Sequence, residues 1–198
     1  MREWDRYEHK PGALQRAQGC LLGQLAGDAL GSLVEFQSPG QIRAAYPNGV
    51  RELKDGGTWN TIAGQPTDDS EMALALARSI LRTGQYDERE AERAYEDWLN
   101  SNPFDVGSTI GSALRGRKNP ESQANGALMR VSPLGIYAAR FSRREAAEWA
   151  RADAALTHPN PVCLHVFCQA NFPIFTVTAS RRLPRGIPGF FRRYQAHE

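Results

Sequence analysis

An all-α fold is predicted by three features of the sequence. Apolar residues recur at three- and four-residue steps along most of its length. Oxygen side chains stand ahead of several of these runs, and glycine closes one of them. No stretch alternates apolar and polar residues convincingly, the one β-like run being residues 175–178.

The first helix is expected over residues 11–34. Leu14, Ala17, Leu21, Leu25 and Ala29 mark its apolar stripe, and Gly19, Gly23, Gly27 and Gly31 line a neighbouring face. Glycine costs about 1 kcal/mol relative to alanine inside a helix, so four at one spacing suggest close approach of another backbone. Residues 37–66 hold eight Pro and Gly residues and read as loop. A second helix is expected from Thr67 to Gly84. Asp68 and Glu71 resemble a capping box, and Met72, Leu76 and Ile80 form an apolar face that Leu74 and Leu81 widen.

A third, strongly charged helix is expected over 87–99 and a shorter one over 106–115. A fifth spans 126–141, bent or restarted at Pro133. The sixth has Ser142 as N-cap and Glu145 at the box position and runs to Leu156. A last short helix spans 161–170. No internal repeat is visible.

A chain of 198 residues is long enough for one domain with a core of its own. Its 41% hydrophobic and 23% charged residues exclude wholesale disorder and collagen-like repeats. Three cysteines, Cys20, Cys163 and Cys168, are an odd count without metal-ligand spacing, which suits free thiols in a reducing compartment. The N-terminus lacks an apolar targeting segment. The least polar stretch, 19–36, carries Asp28 and Glu35, so no membrane span is expected and a cytoplasmic location is the default. The net charge of +2 selects no partner. Residues 172–198, however, hold five arginines against one glutamate and differ in composition from the rest.

Several positions can carry chemistry, each beside a plainer reading. Thr67, Asp68 and Asp69 open the second helix. Three successive oxygen side chains at a loop-to-helix turn can converge on a hard cation such as Mg²⁺, or simply cap the helix. Asp28 lies within an apolar, glycine-rich helix, where a carboxylate needs a charge partner, hydrogen bonds or a metal; a neighbouring loop could supply the hydrogen bonds. Glu35 could be solvated past the end of that helix. Asn125 and Gly126 start a helix whose free N–H groups could receive a phosphate, or form an ordinary cap. His158 could stack on a ring or bond a phosphate, or be structural, and Asp105 could be a cap.

The order of these segments is more specific than any one of them. GCLLGQLAGDALGSLVEF (19–36), GQPTDDSEMALALARSIL (64–81), DVGSTIGSAL (105–114), NGALMRVSPLG (125–135) and LTHPNPVC (156–163) together resemble the ADP-ribosylglycohydrolase family over residues 12–171. The resemblance implies an all-α bundle that holds two Mg²⁺ ions, sometimes Mn²⁺, in a cleft. Such proteins cleave the bond between ADP-ribose C1″ and an acceptor. It implies that Thr67, Asp68 and Asp69 supply the first half of the metal site. Glu35 would then assist at the anomeric carbon, and Asp105 would act as general base or acid. Asn125, Gly126, Met129 and His158 would contact the ADP-ribose. The implied partner is an ADP-ribosylated protein or a small ADP-ribose conjugate; nucleic acid is not expected.

The family's closing Asp-x-Asp-Thr motif, the other half of the implied ligand set, is absent from these residues. The bundle is therefore expected to be incomplete at its C-terminal side. Residues 172–198 read as an atypical Arg/Pro-rich tail, frameshifted or foreign, with a basic peptide for an anionic partner as the alternative. Weak or no hydrolysis by the chain as written follows from half a ligand set. The alternative function is a non-catalytic ADP-ribose-binding remnant or regulatory module.

Overall fold

The computed structural model describes residues 12–167, so the Arg/Pro-rich tail and the β-like run at 175–178 lie outside the described residues. Seven helices are bounded at both ends: α1 Ala13–Gly31, α2 Pro39–Ala45, α3 Asp68–Thr83, α4 Glu88–Asn100, α5 Ser108–Leu114, α6 Ser132–Ala138 and α7 Arg143–Ala155. Residues 161–167 form a further helix, α8. Among the described residues the one sheet-like feature is an isolated bridge between Gly56 and Thr61.

Helix α3 is the central element. It packs against α4, α6 and α1, and α7 closes the far side against α6 and α4. Its stripe of Met72, Leu76 and Ile80 is buried with Tyr95, Ile110, Val131, Leu134 and Leu156 in the main core. Each large side chain so buried contributes about 1.5–3 kcal/mol of transfer free energy. Leu81, expected to widen the stripe, instead points outward and is exposed.

Local signals fix most of the helix ends. Gly84 closes α3 with φ +74°, a conformation that favours glycine. Asp87 caps α4 through the Glu90 amide, and Ser142 with Glu145 forms a complete capping box on α7. Helix α2 lies within the segment expected to be loop. Ser38 caps it, Gln41 closes the box and Pro39 opens the first turn, a signature that the surrounding Pro and Gly residues obscured.

Two expectations are corrected. Residues 126–130 form successive turns, and the helix begins only at Ser132. Among the described residues the glycine face of α1 meets no backbone: a Cβ built on Gly19, Gly23, Gly27 or Gly31 would find nothing within 4 Å. The close approach occurs at Gly57 instead. Its φ is +74°, and a Cβ there would lie 2.7 Å from Leu33 Cα, so only glycine lets this loop rest on the turn after α1.

Candidate active-site cleft

The C-terminal half of α1, the turn that follows it and the start of α3 enclose an open cleft of about 430 Å³. It is lined by Gln24, Gly27, Asp28, Gly31, Ser32, Glu35, Thr67, Asp69 and Met129. Asp28 organises it. Its carboxylate accepts hydrogen bonds from the Thr67 amide (3.1 and 3.2 Å to its two oxygens), the Thr67 hydroxyl (2.7 Å) and the Ser70 amide (3.1 Å). Thr67 is the N-cap of α3 but makes no capping bond of its own. The carboxylate of α1 therefore caps α3 from outside, and the positive end of the helix dipole stabilises its charge. The expected Asp68–Glu71 box does not form; Glu71 instead accepts the Trp98 indole N–H at 2.8 Å.

The three residues of the Thr-Asp-Asp run go separate ways. The Thr67 hydroxyl donates to Asp28. Asp68 is buried and accepts the Gly107 amide at 3.1 Å, which ties the start of α5 to the start of α3. Asp69 faces the cleft. Burial, followed by the charges of Asp28, Asp68 and Glu35, raises its carboxyl to about 7. Asp105 is likewise raised to about 7, by burial and then by Asp68, Glu35, Asp69 and Asp28. Asp105 is not a helix cap: α5 starts at Ser108 with Gly107 at the cap position. Five carboxylates thus share one field without full compensation, a common condition of groups poised for chemistry.

Glu35 is anchored, not merely solvated. Its Oε2 accepts the Trp59 indole N–H at 2.7 Å, and its carbonyl accepts the Thr58 hydroxyl at 2.5 Å. Trp59 also meets Phe36 and Phe104 edge-on, with ring centroids 6.1 and 5.9 Å away, forming an aromatic rim at this end. Phe36, with φ +59°, turns the chain out of α1 toward this rim.

The remaining predicted positions separate. Met129 lines the cleft. Asn125 is exposed and absent from the cleft lining. Gly126 is wedged against Ile110 and His158, where a Cβ would lie 2.8 Å from Ile110 Cδ1 and 3.2 Å from the imidazole. His158 is a core residue, completely buried, and does not reach the cleft surface. Its Nδ1 is 2.8 Å from the Thr157 hydroxyl, and burial followed by the Arg130 charge lowers its pKa to about 4, keeping it neutral near pH 7. In the described structure His158 thus has no exposed surface and stands behind the cleft wall.

Sequence reasoning missed two features. Gln24 bridges both sides of the cleft. Its side-chain amide donates to the Met129 carbonyl at 2.8 Å and the Asp69 carbonyl at 3.2 Å, and its Oε1 accepts the Ser132 hydroxyl. The second is a buried network behind Met129. Arg130 Nε donates to Asp153 Oδ2 at 3.0 Å, Nη1 to the Thr157 hydroxyl at 2.9 Å and Nη2 to the Asp153 carbonyl at 2.7 Å. The Tyr95 hydroxyl donates to Asp153 Oδ1 at 2.7 Å. The guanidinium also lies 4.2 Å over the Tyr95 ring. One signal was available: an arginine within ALMRVSPLG and an aspartate within an alanine-rich helix are costly to bury unless paired.

As metal donors, the Thr67, Asp68 and Asp69 oxygens are of the type that Mg²⁺ prefers. Among the described residues, however, no three His, Cys, Asp or Glu side chains converge where an ion could sit. The donor type suits the ion, but the donor number does not. No helix among the described residues is long and apolar enough to cross a membrane.

The ADP-ribosylglycohydrolase family model matches residues 9–171. An ADP-ribosyl-[dinitrogen reductase] glycohydrolase of Rhodospirillum rubrum is 36% identical over 162 residues, covering 77% of this chain and 54% of that protein. An ADP-ribosylarginine hydrolase, Tri1, of Pseudomonas putida is 31% identical over 142 residues, covering 63% of this chain and 37% of that protein. A solved structure described as an ADP-ribosylglycohydrolase-related protein complex aligns with a TM-score of 0.70 at 28% identity, over 82% of this chain and 56% of that one. The chain thus spans about half the length, or less, of the relatives it matches.

Proposed function

The chain belongs to the ADP-ribosylglycohydrolase family, and from that membership we propose that its cleft hydrolyses the bond between ADP-ribose C1″ and an acceptor, the substrate being an ADP-ribosylated protein such as one modified on arginine. The observation that carries this reading is the gathering of Asp28, Glu35 and Asp69 in one cleft, with Asp105 in their field. Glycosidic cleavage builds positive charge on the ribose, and one carboxylate stabilises it while another exchanges the proton. With no cation in the cleft, burial and then the neighbouring carboxylates raise the Asp105 carboxyl to about 7, so that it populates both protonation states near neutral pH. It is assigned as the acid that protonates the departing acceptor atom as the C1″ bond breaks, its carboxylate then taking back the proton that the water gives up on adding to C1″. Glu35, fixed by Trp59, is assigned to the charge that develops at the anomeric carbon.

We propose Mg²⁺, with Mn²⁺ as a substitute, as the ion held by Thr67, Asp68 and Asp69, together with ligands from outside the described residues. Held there, such an ion would supply Lewis acidity to a ribose oxygen or a water. Asp69 and Asp105, raised first by burial and then by the neighbouring carboxylates, support this, because a cation would offset the shared negative charge.

A second reading is binding of ADP-ribose without turnover. Calorimetry with ADP-ribose, paired with an assay for ADP-ribose release from ADP-ribosyl-arginine in Mg²⁺, separates the two. Release that Asp105→Asn abolishes supports hydrolysis. Binding without release supports the second reading, and neither binding nor release sinks both.

A further inference from the structure

Three aromatic rings stand at the mouth of the cleft. Trp59 fixes Glu35 through its indole N–H, but that bond makes no use of the ring faces. Trp59 meets Phe36 at an interplanar angle of 78° and Phe104 at 62°. Neither contact is a face-to-face stack, so flat surface remains for a ligand. Phe36 is 80% exposed and Phe104 41%. Phe36 also holds a φ of +59°, a region that bulky side chains rarely adopt. A ring turned outward from a strained position contributes little burial to the fold, and such strain gathers at functional sites.

The rings flank the two carboxylates assigned to the reaction. Phe36 follows Glu35 in the chain and Phe104 precedes Asp105. The group that leaves C1″ must come within reach of Asp105. The ring next to Asp105 belongs to the rim, which places the rim on the acceptor's side.

Two features select the acceptor's chemistry. Asp28, Glu35 and Asp69 bring negative charge to the cleft, and its lining among the described residues includes no Lys, Arg or His. An aromatic face is itself negative, and the Trp59 ring gains electron density because its N–H donates to a carboxylate. Both features favour a cation and disfavour a diphosphate. A guanidinium is flat, delocalised and weakly hydrated, so it lies on a ring better than a compact ammonium does.

We propose that Trp59, Phe36 and Phe104 seat the guanidinium of an acceptor arginine, so that this rim selects arginine among ADP-ribosylated side chains. The inference deepens the hydrolase reading and rests on its assignment of Asp105.

The test follows the indole N–H signals of the full, isotope-labelled chain by NMR in the presence of chelator. The chain has four tryptophans, and the Trp59 signal is the one missing from Trp59→Phe. Nα-acetyl-arginine methylamide should shift that signal saturably. Nα-acetyl-lysine methylamide should bind more weakly by about threefold or more, and ADP-ribose should not displace the arginine probe. Phe36→Ala removes an exposed ring, which spares the fold, and should weaken the arginine probe by about threefold. Phe104→Ala should act in the same direction. The absence of a saturable shift would overturn the proposal, as would equal binding of the lysine probe. Displacement by ADP-ribose would overturn it by giving the rim to the nucleotide. Binding indifferent to both ring removals would overturn it by giving the probe to the carboxylates alone. Turnover is not read out: the arginine shift without ADP-ribose release sinks the hydrolase reading and keeps the seat, whereas release without the shift does the reverse.

Discussion

Removing the Asp69 carboxylate should make the protein more stable, by an amount that depends on pH. In the folded chain this carboxyl is held at about 7 against an ordinary value near 3.8, by burial and by Asp28, Asp68 and Glu35. A raised carboxyl binds its proton more tightly in the folded state, so its contribution to stability is fully present below the unfolded value and is lost as pH rises through 7. The whole span corresponds to about 4 kcal/mol. Solvent reaches this half-buried group through the open cleft, and screening reduces the figure to about 2 kcal/mol. Asp69→Asn keeps the shape and discards the charge. In urea titrations with chelator present, it should gain about 2 kcal/mol at pH 8, clearly less at pH 5 and least near pH 4. A loss of stability at pH 8 would refute the reasoning, as would a gain of equal size at pH 8 and pH 5. Either result would mean that burial and the neighbouring carboxylates do not hold the Asp69 carboxyl as described.

Two further changes probe the wall behind the cleft. Asp153→Ala leaves the fully buried Arg130 guanidinium without its carboxylate and the Tyr95 hydroxyl without its acceptor; a loss of about 3–5 kcal/mol is expected in urea unfolding, and a loss below 1 kcal/mol would show that the network contributes little. Gly126→Ala drives a methyl to 2.8 Å from Ile110 Cδ1 and 3.2 Å from His158; thermal melts should show a cost of about 1–3 kcal/mol, and an unchanged melting temperature would show that the turn at 126–130 yields freely.

Helices whose signals are local could be read before any contact was known. Ser142 with Glu145 and Gly84 after the α3 stripe hold their meaning within four residues, because capping satisfies backbone groups next in sequence. The pairing of Asp28 with Thr67, 39 residues away, has no local signature. A carboxylate in an apolar helix announces that it needs donors but not which ones. The same limit explains His158: a histidine at a helix end reads alike whether it faces a cleft or Phe167 in the core, and burial separates the two. Motif order along the chain was enough to identify the family and to bring Glu35, Thr67, Asp69 and Met129 to one cleft, because those residues flank helix starts and turns whose positions the pattern predicts. Only the packing of α1 on α3 decided that Asp28 caps the metal-type run, that Gln24 ties its carbonyl to Met129, and that Asn125 stays outside. Only packing could show that, among the described residues, nothing approaches the α1 glycines while Gly57 is pressed against backbone. Spacing along a helix sets which residues share a face, whereas what that face meets depends on contacts between residues far apart in the chain.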